Sequence, residues 1–174
     1  MHYKYVVETD VKSYVDGYRD AERFLDCCRQ CRAYGHRHGC PPFDYDPIDV
    51  ISRYEHLRII GAKIMVDDRS LPLSEVNSLM APVAIELNTE LLQMEAETGG
   101  VACGFAGTCP YCNGAPCTRL RGKPCRHPDK VRPSLEAWGF DIGKTAQQLL
   151  GIELKWGTDG RAPEYLTLVC GLFY

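Results

Sequence analysis

The stretch CPYCNGAPCTRLRGKPCRHP, residues 109–128, gathers four cysteines, four prolines and four Lys or Arg. Thiols at this density answer to three chemistries: disulfides, zinc, or an iron–sulfur cluster. The spacing is Cys109-x2-Cys112-x4-Cys117-x7-Cys125. Two cysteines separated by two residues turn both sulfurs toward one centre, which zinc and iron–sulfur sites both exploit. Zinc ribbons set a second such pair against the first. Here single cysteines follow after four and seven residues instead, so the ligands are strung along one wrapped loop. That suits a cubane, whose four iron corners spread wider than one ion's coordination sphere. Pro110, Pro116 and Pro124 stiffen the wrap and remove N–H groups that would need partners. The expected cofactor is an iron–sulfur cluster of the [4Fe-4S] kind, with zinc as the alternative.

A second set lies upstream: Cys28-x2-Cys31-x8-Cys40, with Cys27 adjacent and Pro41 and Pro42 following. It supplies three thiols in register, because neighbouring Cys27 and Cys28 point apart. Cys27 or Cys103 is the candidate for a fourth ligand. Cys103 would cross over, as ligands do between the runs of two-cluster ferredoxins. In the other arrangement the fourth position is open, or is held by His36, His38 or Asp44. An open position is what separates a catalytic metal from a structural one. The completed site is the expectation adopted, giving one or two clusters. Cys170 reads as an ordinary buried residue.

Charge gathers at both sets. Arg119, Arg121, Lys123, Arg126, Lys130 and Arg132 surround the second, with Asp129 the only acid among them, and Arg29, Arg32 and Arg37 join His36 and His38 at the first. A cubane on four thiolates is anionic, so nearby cations stabilise its reduced form and raise its potential. The same residues would equally serve as a solvated surface or hold an acidic partner. His127 is expected to hydrogen-bond beside the cluster. Tyr34, Tyr45 and Tyr111 would shield it from water or simply pack. In RPSLEAWGFDI (132–142), Arg132 and Glu136 at i, i+4 read as a helix pair after Pro133, in preference to a catalytic Glu136.

These loops need a frame. Residues 3–8 and 57–66 are β-rich and read as strands, as does 165–173. Apolar residues at helical spacing predict one helix over 10–28 and the longest over 74–97, with Ser74 as N-cap and Gly99 as stop. Pro82 would kink that helix or mark its start. A turn is expected at 47–53, a short strand at GGVACGFAG, and short helices at 133–138 and 142–150, the latter capped by Asp141. The fold class is therefore α+β: a small, mostly antiparallel sheet covered by helices in a sandwich-like arrangement. One domain spans 1–174, with cysteine loops at 27–47 and 103–128.

At 174 residues and 45% hydrophobic, the chain can bury a core without covalent staples. A net charge of −3 gives no reason to expect nucleic acid or an anionic membrane as partner. The N-terminus MHYKYVVETDVKSY lacks a secretory pattern, and YLTLVCGLFY is about half a membrane span. A cytoplasmic setting follows, where ten cysteines point to metal ligation over disulfides.

The segments CRQCRAYGHRHGCPPFD, GTCPYCNGAPC and PCRHPDKVRPSLEAWGFDI resemble a domain-of-unknown-function family of predicted metal-binding proteins. The likeness covers most of the chain. It implies metal binding by Cys28, Cys31, Cys40, Cys109, Cys112, Cys117 and Cys125, as iron–sulfur, in an anaerobic or microaerobic setting. It supplies no reaction. The expected function is electron transfer to or from an anaerobic enzyme, with a redox protein as partner. The alternatives are a zinc-stabilised interaction module and an enzyme with an open iron position in the first loop.

Overall fold

The structure, a computed structural model, describes residues 1–174 apart from the side chains of Leu73, Ser74 and Asn77. The chain runs β1 (His2–Asp10), α1 (Val11–Tyr18), α2 (Ala21–Arg29), α3 (Pro47–Ile51), β2 (His56–Met65), α4 (Leu73–Thr98), β3 (Val101–Cys103), α5 (Ile142–Leu149) and β4 (Tyr165–Phe173). Its four strands form one antiparallel sheet in the order β1-β2-β4-β3. The α+β expectation holds.

The two central strands are apolar on both faces because both faces are covered. Successive strand residues point to opposite sides. Leu57 and Ile59 therefore join Val169 and Phe173 in one core, whereas Ile60, Ala62 and Ile64 join Leu168, Cys170 and Leu172 in the other. The first core is closed by α1, α5 and the turn before α5, where Tyr14 stacks on Phe140 with ring centroids 4.7 Å apart. The second is closed by α4, through Val76, Val83, Leu87 and Leu91. At Gly61 the first face has no room for a side chain: a Cβ there would stand 2.6 Å from Leu150 Cδ1.

Several boundaries differ from expectation. The helix predicted over 10–28 is two helices. The chain breaks at Arg19–Asp20, where the Asp20 side chain accepts from the Arg23 N–H and its backbone N–H donates to Gly139 O at 2.9 Å. A capping carboxylate and a tertiary hydrogen bond outweigh the continuous apolar stripe. The 47–53 turn contains a short helix capped by Asp46. Pro82 lies inside α4 and does not start it, and the N-cap position is Pro72 and not Ser74, because the helix already begins at Leu73. The helix foreseen at 133–138 is a 3-10 turn, Glu136–Trp138, and Asp141 caps α5 by accepting from the Lys144 N–H at 2.8 Å. No described helix is long and apolar enough to cross a membrane.

Strand β3 pairs only with Gly171–Phe173, so the outer edge of β4 from Tyr165 to Cys170 has no strand beside it.

Two substitutions test this packing. Leu87→Ala should lower unfolding free energy by about 2–5 kcal/mol in chemical denaturation. Gly61→Ala should cost about 1–3 kcal/mol, because Leu150 must move.

Candidate metal centre

All ten cysteines are free thiols. The second loop is a series of tight turns that keep returning the chain to one place. Cys109 and Cys112 flank a 3-10 turn over Pro110–Cys112, which ends on Asn113 at φ 47°. Cys117 opens a second such turn, Thr118–Arg121, closed by Gly122 at φ 63°. The Thr118 hydroxyl then donates to Pro124 O at 2.8 Å, bringing Cys125 back. These turns bring Cys112, Cys117 and Cys125 within electrostatic reach of Cys109. Burial raises the Cys109 thiol above its ordinary pKa, the Tyr111 N–H opposes this, and Cys112, Cys125 and Cys117 add to it.

The first set gathers in the same way, at the end of α2. Cys28 is pushed up to about 11, first by burial and then by Cys40 and Cys31. Burial likewise raises Cys40, while the Arg37 and Arg119 cations pull it down. Cys117 also acts on Cys40, so the two thiol sets adjoin.

A repeated backbone feature favours thiolates. The residue two places after a cysteine donates its N–H to that sulfur three times: Ala33 to Cys31 at 3.5 Å, Tyr111 to Cys109, and His127 to Cys125 at 3.4 Å. Arg126 Nη1 adds a contact to Cys112 Sγ at 3.7 Å. Donors of this kind stabilise sulfur carrying negative charge, as metal-bound thiolates do. Among the described residues, no three Cys, His, Asp or Glu side chains form a group that could hold a metal ion.

Side chains from elsewhere fix the loops. Arg119 donates to Arg37 O at 2.6 Å, to Cys40 O, and to Pro42 O at 2.5 Å, fastening the second loop to the first. Arg37 returns a hydrogen bond to Gly107 O. Asn88 on α4, 6% exposed, donates to Tyr111 Oη at 2.6 Å and to Lys130 O at 3.0 Å. Glu95, two turns further along α4, grips Arg132 through both oxygens and accepts from the Ala102 N–H at 2.8 Å. The expected Arg132–Glu136 pair is thus replaced by Arg132–Glu95: residues 133–138 do not form the helix that would align i with i+4. Asn88 and Glu95 gave no signal in the amino-acid order, because each borders the apolar stripe without breaking its spacing.

The remaining candidates scatter. Cys103 is fully buried, and the charges acting on it are those of Cys170, Glu136 and Glu95 and not of the loop thiols; it is brought to neither set. Cys27 is exposed beside Cys28, and Cys170 is buried in the sheet. His36 Nδ1 lies 2.9 Å from Arg32 O, and His38 Nε2 lies 3.3 Å from Thr118 Oγ1. His127 neighbours Cys125 through its backbone and not its ring. Tyr45 accepts from Trp138 Nε1 at 3.3 Å.

A sheet with a helix layer on each face and two adjoining thiol-rich loops define a cysteine-rich metal-binding protein of the α+β class. The chain belongs to the predicted metal-binding protein family DUF2284, which matches residues 16–172. No curated protein and no solved structure matches it.

Two outcomes test the site. Arg119→Ala should leave the fold intact but cut metal loading of both loops several-fold, measured as bound metal per chain; Arg121→Ala should not. Cys28 is protonated at neutral pH and must release its proton to ligate. Cys40 is raised as well and must do the same, so affinity through the first set should weaken about tenfold per pH unit for each of these protons, about a hundredfold per unit or more as pH falls from about 8 to 6, read by chelator competition.

Proposed function

We propose that this protein carries an iron–sulfur cluster on Cys109, Cys112, Cys117 and Cys125 and passes electrons to or from a larger redox enzyme. The observation that carries this reading is four neighbouring thiols on one loop of consecutive turns, two of them already accepting a backbone N–H. Four thiolates complete the ligation of a cubane, so no position is left for substrate. A zinc ion with bonds of about 2.3 Å draws its four sulfurs to within about 4 Å of one another. When bound, a cluster supplies one-electron chemistry at a potential set by charge, hydrogen bonds and exposure.

The chain's own residues would tune that potential. Arg126 stands against Cys112, and the Tyr111 and His127 N–H groups donate to Cys109 and Cys125. Each stabilises added negative charge. Arg119 spends its donors on first-loop carbonyls, which couples the position of one thiol set to the other.

A second reading applies to the first loop. Cys103 lies in the core, and adjacent Cys27 and Cys28 on α2 point about 100° apart, which leaves Cys28, Cys31 and Cys40 as three thiols with an open fourth position. That favours a centre there that binds a further ligand, as catalytic metals do.

Protein purified without oxygen should be brown, contain iron and acid-labile sulfide, and give a paramagnetic resonance signal on reduction. Cys112→Ser should abolish that signal. Colourless protein with stoichiometric zinc and no sulfide would overturn the proposal.

A further inference from the structure

Strand β1 is an outer strand of the sheet, and its free edge runs the length of the element. Its nine residues pair one-to-one with β2, from His2 opposite Ile64 to Asp10 opposite His56, and include neither Pro nor Gly. Soluble proteins usually shorten, bulge or interrupt an edge strand, because a long regular edge is a template for another strand. The edge of β1 is not protected in those ways. The free part of the β4 edge, in contrast, is flanked by Phe105 and residues 154–157.

The backbone of β1 fixes what can pair with it. The Met65 N–H donates to Met1 O at 3.0 Å, so the odd-numbered residues of β1 exchange hydrogen bonds with β2. The even-numbered ones, His2, Lys4, Val6, Glu8 and Asp10, turn their N–H and C=O groups outward. An identical strand, turned antiparallel about a two-fold axis, presents the same even-numbered groups in return.

Side chains then choose the register. With Val6 on the axis all nine positions overlap: Val6 faces Val6, Lys4 faces Glu8 and His2 faces Asp10 on one side of the sheet. On the other side Tyr5 faces Val7. Placing the axis on Lys4 or on Glu8 would set like charges opposite, and placing it on Tyr5 or Val7 would oppose Val6 to a charge. Opposite charges and apolar pairs directly across a ladder stabilise it, and like charges destabilise it. Contacts within each chain extend the pattern. Lys4 Nζ lies 2.5 Å from both Glu90 oxygens, and Arg58 bonds Glu8 Oε1 at 2.9 and 2.5 Å. The series Glu90, Lys4, Glu8, Arg58 therefore alternates in sign across the junction. Val6, 53% exposed in mid-strand, would be covered by its counterpart.

We propose that the partner of β1 is a second copy of this chain, the two sheets joining edge to edge about a two-fold axis at Val6. Such a closed, self-complementary contact makes a dimer and not a filament. The strand order β1-β2-β4-β3 puts β3, and the second cysteine loop it leads into, at the two far ends of the joined sheet. Both metal loops therefore stay uncovered. Strands of nine residues bury an area at the low end of specific interfaces, so the dimer should dissociate with a Kd on the order of micromolar.

Sedimentation velocity of the full, metal-loaded chain, over a dilution series spanning the micromolar range, reads the association. The native chain should pass from monomer to dimer as concentration rises. Val6→Pro removes an outward N–H without touching the β2 ladder, and should weaken association at least about tenfold. Lys4→Glu alone and Glu8→Lys alone should each stay monomeric where the native chain is dimeric, because each opposes like charges in its own dimer. Mixed in equal amounts, the two variants should pair again, since every opposed position then carries opposite charges. Circular dichroism checks that each variant keeps the native fold. If Val6→Pro does not fold, the charge variants and their mixture carry the test. A native chain that is monomeric throughout, a folded Val6→Pro chain that associates like the native one, or a mixture no more dimeric than its components would overturn the proposal. The readout is mass and not metal content, so failure here is distinguishable from failure of the electron-transfer reading.

Discussion

Arg119 leaves the second cysteine loop and donates to three carbonyls of the first, those of Arg37, Cys40 and Pro42. Beyond its turns the second loop has no ladder to satisfy its backbone, and three prolines stand among its cysteines. Its backbone groups still need partners. One planar guanidinium, with several donors in a fixed fork, satisfies a cluster of converging carbonyls that no single backbone N–H could reach. The register between the two thiol sets follows from that contact.

The helix layer supplies the remaining anchors. Asn88 and Glu95 project from α4 beside the stripe that closes the second core. One helix therefore packs the sheet and holds the metal loop, so the loop's position inherits the rigidity of the core. The Arg132–Glu95 pair is largely screened from water, with side chains 21% and 17% exposed. A half-buried ion pair with both oxygens engaged orients more than it stabilises, since desolvation offsets much of the attraction. The basic residues around the loops thus divide. Arg119, Arg126 and Arg132 are committed to carbonyls, a sulfur or a carboxylate, and they set geometry as well as charge.

The sheet's uneven width has consequences at both ends. Where β3 pairs with Gly171–Phe173, the chain is led directly from the core into the second cysteine loop. Where β3 stops, β4 keeps an open edge beside Glu136. A three-residue strand is enough to launch a loop but too short to seal the sheet.

Strands β2 and β4, the long amphipathic α4 and the Asp141 cap were legible in the amino-acid order, because local periodicity and capping chemistry act within a few residues. The same holds for the cysteine spacing and so for the metal-binding character, since C-x2-C turns are local. Tertiary contacts decided the break at Arg19–Asp20, where a hydrogen bond to Gly139 competes with helix continuation. They also decided that Cys103 belongs to the core, that Arg132 answers Glu95 and not Glu136, and that Arg119 joins the loops. Each of these depends on which distant carbonyl, carboxylate or apolar surface folding brings within a few ångströms, and no pattern of neighbouring residues encodes that distance.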